Sequence, residues 1–386
     1  MRVVIFAGFF WPAYKAGGPA RSLTNLATEL AVGNDVLVVA ADRDLGDEKP
    51  FPHLRSPAEY KGATVWYVNV RSLRQLARTY RGLRRQYFDV AILNSIWDVP
   101  LSFIPAVLLW ARRISADTVV LMPRGELEGG ALALKSGKKK AATHVVRCVY
   151  AHAADVIAAT SESELSNTRT WFPELDQILV SNLPDTFGAG YVADEGGAFR
   201  VLYLGRIHPT KGLLELLGAL HALDGTIRVT VAGPVGDDDY FRQCHERSLT
   251  LPDNVQVDWV GPVGRDQLEQ LLWNSDLMAT LTLGENFGHT IAEALQAGCP
   301  VLATDKTPWT GILREGAGYV CTDRSDLAAV ARLVDAARLD AAAGRTLARQ
   351  QARQGFERWF QCQPFDVVEA ALAAVAGRDA QWIADP

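Results

Sequence analysis

Short apolar runs recur along the chain, each followed by a turn of glycine, proline or polar residues and then by a stretch with helical spacing. The runs at residues 2–7, 35–41, 62–70, 90–93, 119–122 and 156–160 form one series. A second series starts over at 199–205 and continues at 227–232, 255–260, 277–283 and 301–304. Runs that are apolar throughout, not alternating, predict strands covered on both faces, as in a parallel sheet with helices on either side. Strands alternating with helices in this way predict two doubly wound α/β domains. Between 184 and 197 the composition turns to Asp, Gly, Ala and Glu with little to build a core, which places the linker there. Helices are predicted at 325–341 and 343–355, and a last apolar helix at 365–375. The predicted division is 1–186, 187–363, and a C-terminal helix over 364–386 that crosses back to the first domain.

The most informative stretch is Gly284 to Glu293, reading GENFGHTIAE, which lies between the apolar run at 277–283 and a helix stopped by Gly298. A strand, a glycine-bearing turn and a helix start point free amides and the positive end of a helix dipole at the crevice beyond the strand ends, where a phosphate can sit. Glu285 and Glu293 flank the turn, and helical rise puts them roughly 10 to 12 Å apart. That exceeds the spacing of a glycosidase carboxylate pair. Two clamps on one long ligand fit better: Glu285 for sugar hydroxyls, Glu293 for ribose hydroxyls, and the backbone at Asn286, Phe287, Gly288 and His289 for a diphosphate. An amphipathic helix with a solvated Glu293 is the competing reading.

Other strand ends add candidates. Arg206 and Lys211 bracket the turn after the 199–205 run, so both can converge on one diphosphate, arginine through its fork and lysine as a point charge. Val260 and Gly261 end another strand, where backbone groups could read a base edge or simply turn. Gly17-Gly18 precede Pro19 at a helix start and let a ligand approach the backbone closely, as would any flexible turn. Arg124 and Glu126, in Pro123-Arg124-Gly125-Glu126, follow a strand of the first domain and are candidates for the acceptor side of a cleft, with a surface salt bridge as the alternative. Asp42-Arg43-Asp44 spells DxD, but nothing around it supports a metal site.

Charge and cysteine content narrow the setting. Residues 1–186 carry 22 Lys/Arg against 18 Asp/Glu, or +4, and the remainder 17 against 26, or −9. Arg74, Arg78, Arg81 and Arg85 share one helical face, and Lys135, Lys138, Lys139 and Lys140 form a second cluster. Such faces either stay solvated or draw in anionic headgroups or a pyrophosphate-linked acceptor. Five cysteines without a CxxC or Cys/His cluster suggest a reduced cytosolic chain without structural zinc. The longest apolar stretch, 101–111, is about half a membrane span. A cytoplasmic protein is expected, one that can work at the inner face of a membrane.

Three motifs in this order, Gly17-Gly18, GRIHPTKG with Arg206 and Lys211, and the E-x7-E segment from Glu285 to Glu293, resemble the retaining GT-B glycosyltransferases of family four. The resemblance implies two Rossmann-like domains facing across a cleft, a UDP- or GDP-linked donor sugar held mainly by the C-terminal domain, and a glycan or lipid-linked acceptor held mainly by the N-terminal one. It also implies no catalytic metal; no cofactor beyond the nucleotide-sugar substrate and no nucleic-acid partner are expected, and the basic N-terminal patches point to a lipid-linked or anionic glycan acceptor, as in bacterial surface polysaccharide assembly. The chain departs from the family where PRGE places Arg124, a region in which many members carry a His. The alternatives are a GT-B nucleotide-sugar epimerase, which needs no acceptor, and a non-catalytic binding module that docks through its basic helix.

Overall fold

The computed structural model describes residues 1–13, 15–52, 54–127, 139–191 and 197–384. The chain forms two compact units, one of residues 1–183 with 364–386 and one of residues 184–363.

The first unit is built on an eight-stranded sheet: β1 (Arg2–Ala7), β2 (Asp35–Ala41), β3 (Ala58–Tyr60), β4 (Ala63–Val68), β5 (Tyr87–Asn94), β6 (Ser115–Met122), β7 (Val156–Ala159) and β8 (Asp176–Leu179). Their order in space is β3-β4-β2-β1-β5-β6-β7-β8, and every pairing is parallel except β3 with β4. Val3, Val4, Ile5, Phe6 and Ala7 of β1 have no exposed surface, and they divide between two cores: Val4 and Phe6 on one face, Val3, Ile5 and Ala7 on the other. Burying each of the larger side chains contributes about 1.5–3 kcal/mol, which is why the central strands read as unbroken apolar runs. The C-terminal helix Val367–Ala384 lies in this unit, with Val367, Val368 and Ala371 fully buried beside Val120 and Val156.

The second unit has a six-stranded parallel sheet: β9 (Phe199–Leu204), β10 (Ile227–Ala232), β11 (Val255–Gly261), β12 (Leu277–Thr280), β13 (Val301–Thr304) and β14 (Gly318–Cys321), ordered β11-β10-β9-β12-β13-β14. It too is covered on both faces, Val201 and Tyr203 facing one core and Leu202 and Leu204 the other.

Several elements differ from the sequence expectation. Strands β3, β8 and β14 join the sheets, and none of the three has the fully buried pattern of the central strands. The apolar run at 277–283 is strand only to Thr280. Beyond it the backbone leaves the ladder to bond other loops: Leu283 N–H donates to the Thr210 carbonyl at 2.8 Å, and Arg324 to the Leu281 carbonyl at 3.0 Å. The two helices expected at 325–341 and 343–355 are both present within Leu327–Gln361, parted at Gly344, whose backbone is extended and not helical, and the second runs on to Gln361. Asp42-Arg43-Asp44 serves its own loop: Arg43 bonds Asp42 and the Glu48 carbonyl, and Asp44 caps the amides of Lys15 and Leu45.

Candidate active site

In each sheet the chain leaves the first strand in one direction and later returns to its other side. These reversals fall between β1 and β5 and between β9 and β12. The loops after two such strands diverge to opposite faces and leave a crevice at their carboxyl ends.

In the second unit, the β9 loop carries Arg206 and a turn of 3₁₀ helix, Pro209–Lys211, which the His208 side chain caps by accepting from the Thr210 amide. Gly212 ends that turn with φ +73°, and a Cβ there would stand 2.4 Å from the Leu281 carbonyl oxygen. Only glycine combines this backbone with so close an approach. The approach brings the β9 and β12 loops together, and Lys211 Nζ forms an ion pair with Glu285 Oε1. Both side chains are about one-fifth exposed, at 23% and 16%. Arg206 is exposed, its stem packed so near Gly236 that a Cβ there would meet it at 2.5 Å, and its carbonyl accepts from the Tyr203 hydroxyl at 3.0 Å. Burial pushes that phenol well above its ordinary pKa, so it stays a donor.

The β12 turn runs through Glu285 and Asn286, both half-buried, to buried Phe287. Gly288, at φ +80°, is the N-cap of the helix His289–Gln296. The His289 ring stands edge-on to Phe287 at 4.7 Å. Glu293 has no exposed surface, so the reading of a solvated helix face fails here. Its carboxylate is covered, and a ribose hydroxyl reaches it only if the covering groups move. Val260 and Gly261 lie on the edge strand β11, one strand beyond β10; the Gly261 carbonyl accepts from Gly233 N–H at 2.8 Å, and Val260 is 37% exposed. The structure thus joins Lys211 directly to Glu285, while Val260 and Gly261 sit two strands away from β9.

The crevice of the first unit is chemically different. Gly17, at φ +67°, caps the helix Gly18–Leu30, and a Cβ at Gly17 would meet nothing within 4 Å. Arg124 is half-buried at φ +57°, its guanidinium bound to Asn94 Oδ1 at 2.7 Å and to Asn182 Oδ1. Burial pulls its pKa down to about 10, which leaves it charged at neutral pH. Glu126 is occupied internally: its carboxylate accepts from Ile96 N–H at 2.6 Å, from Trp97 N–H at 3.3 Å and from the Ser95 hydroxyl at 2.9 Å. Among the described residues, neither forms the surface salt bridge that was the alternative.

Asn94-Ser95-Ile96-Trp97 reads from sequence as a strand end facing the crevice, but the roles of Ser95, Asp98 and Gly8 escaped that reading. Ser95 holds φ +128°, a strained value for a residue with a Cβ, stabilised by the Glu126 bonds and by the Ser102 hydroxyl on its carbonyl at 2.5 Å. Asp98 caps the next turn through Leu101 N–H at 2.9 Å, while its Oδ2 lies 2.4 Å from where a Cβ on Gly8 would be. Gly8 therefore makes room for the Asp98 carboxylate. Burial raises the pKa of both Asp98 and Glu126. The only sequence signal was a polar cluster just past a strand end.

Residues 193–355 match the family described as Glycosyl transferases group 1, which covers the whole Arg206, Lys211 and Glu285–Glu293 constellation. The two parallel-sheet α/β domains have the fold of GT-B glycosyltransferase structures. Among solved structures, Anabaena HepE in complex with UDP and glucose aligns at a TM-score of 0.70 and 17% identity, over 98% of this chain and 100% of that one. The sucrose-phosphate synthase from Thermosynechococcus elongatus aligns at 0.64 and 16%, over 100% and 99%. By sequence, a GDP-mannose:cellobiosyl-diphosphopolyprenol alpha-mannosyltransferase of Xanthomonas oryzae pv. oryzae is 31% identical over 147 residues, 36% of this chain and 38% of that protein. A D-inositol 3-phosphate glycosyltransferase of Mycolicibacterium vanbaalenii is 28% identical over 137 residues, 33% and 30%. The chain thus spans well under half the length of these relatives.

Proposed function

We propose that this chain is a retaining, metal-independent GT-B glycosyltransferase that moves a hexose or N-acetylhexosamine from a UDP- or GDP-linked donor to a glycan or lipid-linked acceptor in surface polysaccharide synthesis. The observation that carries the reading is the Lys211–Glu285 ion pair at the β9/β12 reversal, next to the start of the helix His289–Gln296. A diphosphate entering there meets Lys211, Arg206 and the first amides of that helix, which together can stabilise the charge that grows as the leaving group departs. Lys211 would then exchange Glu285 for phosphate oxygens, freeing that carboxylate to accept from sugar hydroxyls. No side chain at the turn is set up as a nucleophile, so substitution on the same face, with the leaving phosphate helping to take the acceptor's proton, is the mechanism that fits. Val260 and Gly261 are assigned to the base, Gly17 and Gly18 to close backbone approach, and the first unit to the acceptor. That two of the relatives act on a diphosphopolyprenol and an inositol phosphate by name supports an anionic or lipid-linked acceptor here.

No helix among the described residues is long and apolar enough to cross a membrane. Arg74, Arg78 and Arg81 line the exposed side of the helix Leu73–Leu83, with Arg85 just past its end, while Leu76, Tyr80 and Leu83 are buried; Leu73 is 82% exposed at its start. This face is assigned to peripheral contact with anionic lipid. The lysine cluster at 135–140 falls outside the residues whose side chains are described.

The test is a thermal-shift screen against UDP, GDP and their sugars, with and without EDTA. A ligand bound only by the folded state raises apparent stability by RT ln(1 + [L]/Kd). A shift that survives EDTA is expected, followed by transfer with retained anomeric configuration. No shift with any nucleotide, or one that needs Mg²⁺, would refute the proposal.

A further inference from the structure

The loop after β13 reaches back to the β12 turn at two points. The Lys306 carbonyl accepts from Glu285 N–H at 3.1 Å, and the Trp309 indole Nε1–H donates to the Phe287 carbonyl. Both ends of Glu285-Asn286-Phe287 are therefore held by one short segment. Trp309 is 1% exposed, packed edge-on to Phe287 at 5.7 Å and against Phe356 and Trp359 at 6.4 and 4.3 Å. It also crowds Gly288, where a Cβ would lie 3.3 Å from the indole nitrogen.

An indole N–H this deep must find an acceptor or lose the free energy of its desolvation, so the bond to Phe287 persists as long as the ring stays buried. The consequence follows from peptide planarity. In a trans peptide the carbonyl and the next N–H point in opposite directions, so anchoring the Phe287 oxygen toward Trp309 turns the Gly288 amide the other way. We infer that Trp309 is the positioning residue for the donor diphosphate: by fixing the Phe287–Gly288 peptide it sets the direction of the first amide at the start of the helix His289–Gln296. The inference rests on the donor reading of this turn. Its chemical class of ligand is a nucleoside diphosphate, recognised through backbone amides whose aim is set from behind by a side chain that never touches it.

Trp309→Phe keeps most of the packing and removes the indole N–H. Phe356→Leu loosens the same aromatic cluster without touching the Phe287 carbonyl. Calorimetric titration of the full chain with UDP and with GDP, well below both melting temperatures, separates the two. Trp309→Phe should weaken the binding nucleotide about ten-fold or more, while Phe356→Leu lowers the melting temperature but leaves Kd within about two-fold. Wild-type affinity in Trp309→Phe, or equal losses in both variants, overturns the inference while the donor reading stands. A wild-type chain that binds neither nucleotide overturns the donor reading first, and this inference with it.

Discussion

Replacing Gly212 by alanine tests whether the contact between the β9 and β12 loops builds the site. Two costs can be read from the structure. A left-handed φ of +73° costs an L-residue about 1–2 kcal/mol. The new methyl would also stand 2.4 Å from the Leu281 carbonyl oxygen and 2.6 Å from its Cβ. Backbone cannot rotate aside, so the overlap is relieved only by parting the loops, at a further cost of about 1–3 kcal/mol. The sum is about 2–5 kcal/mol, or a fall in melting temperature of about 5–15 °C for a unit of this size. Parting the loops also strains the Leu283–Thr210 bond and draws Lys211 away from Glu285, so nucleotide affinity should fall together with stability. Gly261→Ala is the control for stability alone: its φ of +75° matches, but nothing lies within 4 Å of the added carbon, so it should incur only the conformational cost. Differential scanning fluorimetry and titration with UDP or GDP read both effects. Equal losses of stability in the two variants would refute the steric argument, and unchanged affinity in Gly212→Ala would refute the claim that this contact assembles the site.

Other consequences are equally direct. Lys211→Met and Glu285→Gln should each destabilise the chain, and the double variant should lose less than their sum by about 1 kcal/mol, since the pair is only partly shielded; strict additivity in urea unfolding would show that the ion pair does not form. Lys211→Met should also cut turnover about 100-fold to 1,000-fold, read as kcat with saturating acceptor. Because Asp98 and Glu126 have raised pKa values in the folded state, they bind protons there at a pH where the unfolded chain does not. Wild type should therefore gain stability relative to Asp98→Asn/Glu126→Gln as pH falls from neutral through those raised values, with the gain ending once the unfolded carboxylates protonate too; a pH-independent difference would contradict this. Glu126→Ala should cost about 1–3 kcal/mol by stranding the Ile96 amide and leaving Trp97 N–H only the Ser95 hydroxyl, and Glu126→Gln far less.

The parts of this molecule that sequence exposes are those fixed by local or one-dimensional rules. Val3 to Ala7 and Val201 to Leu204 are covered on both faces, so burial writes itself into the sequence as an unbroken apolar run. The same rule misleads at Leu281, whose side chain is buried although its backbone has left the sheet to meet Gly212 and Arg324. Strand β14 is hidden for the opposite reason: Gly318, Tyr319 and Val320 are only half-buried, and the strand is fixed by pairing with β13, with Gly318 so near the Val301 carbonyl that a Cβ would overlap it at 2.1 Å. In the site, Arg206, Lys211 and Glu285 were legible because a charge at a strand end is already a local signal. What Ser95, Asp98 and Trp309 do was not. Their roles come from partners far along the chain: Ser95 from Glu126, Asp98 from the absence of a side chain at Gly8, Trp309 from the Phe287 carbonyl.

The two crevices also argue for a division of labour from their charge alone. At the β9/β12 reversal two cations, Arg206 exposed and Lys211 part-exposed, and a helix start stand against one carboxylate, Glu285, which is already paired with Lys211, so the balance favours an anion. At the β1/β5 reversal two carboxylates, Asp98 and Glu126, stand close enough for the charge of one to help raise the pKa of the other, and the cation there, Arg124, is held by Asn94 and Asn182. A diphosphate brought to that crevice would add negative charge where it is already costly. A hydroxyl would not: it can donate to Asp98, whose carboxylate is capped on one oxygen by Leu101 N–H and stands over Gly8 on the other. The proposed placement of the nucleotide in the second unit and of a hydroxyl-bearing acceptor in the first draws on this electrostatic difference. Glu126, on the far side of Gly125 from Arg124, has its carboxylate engaged by the Ser95 turn.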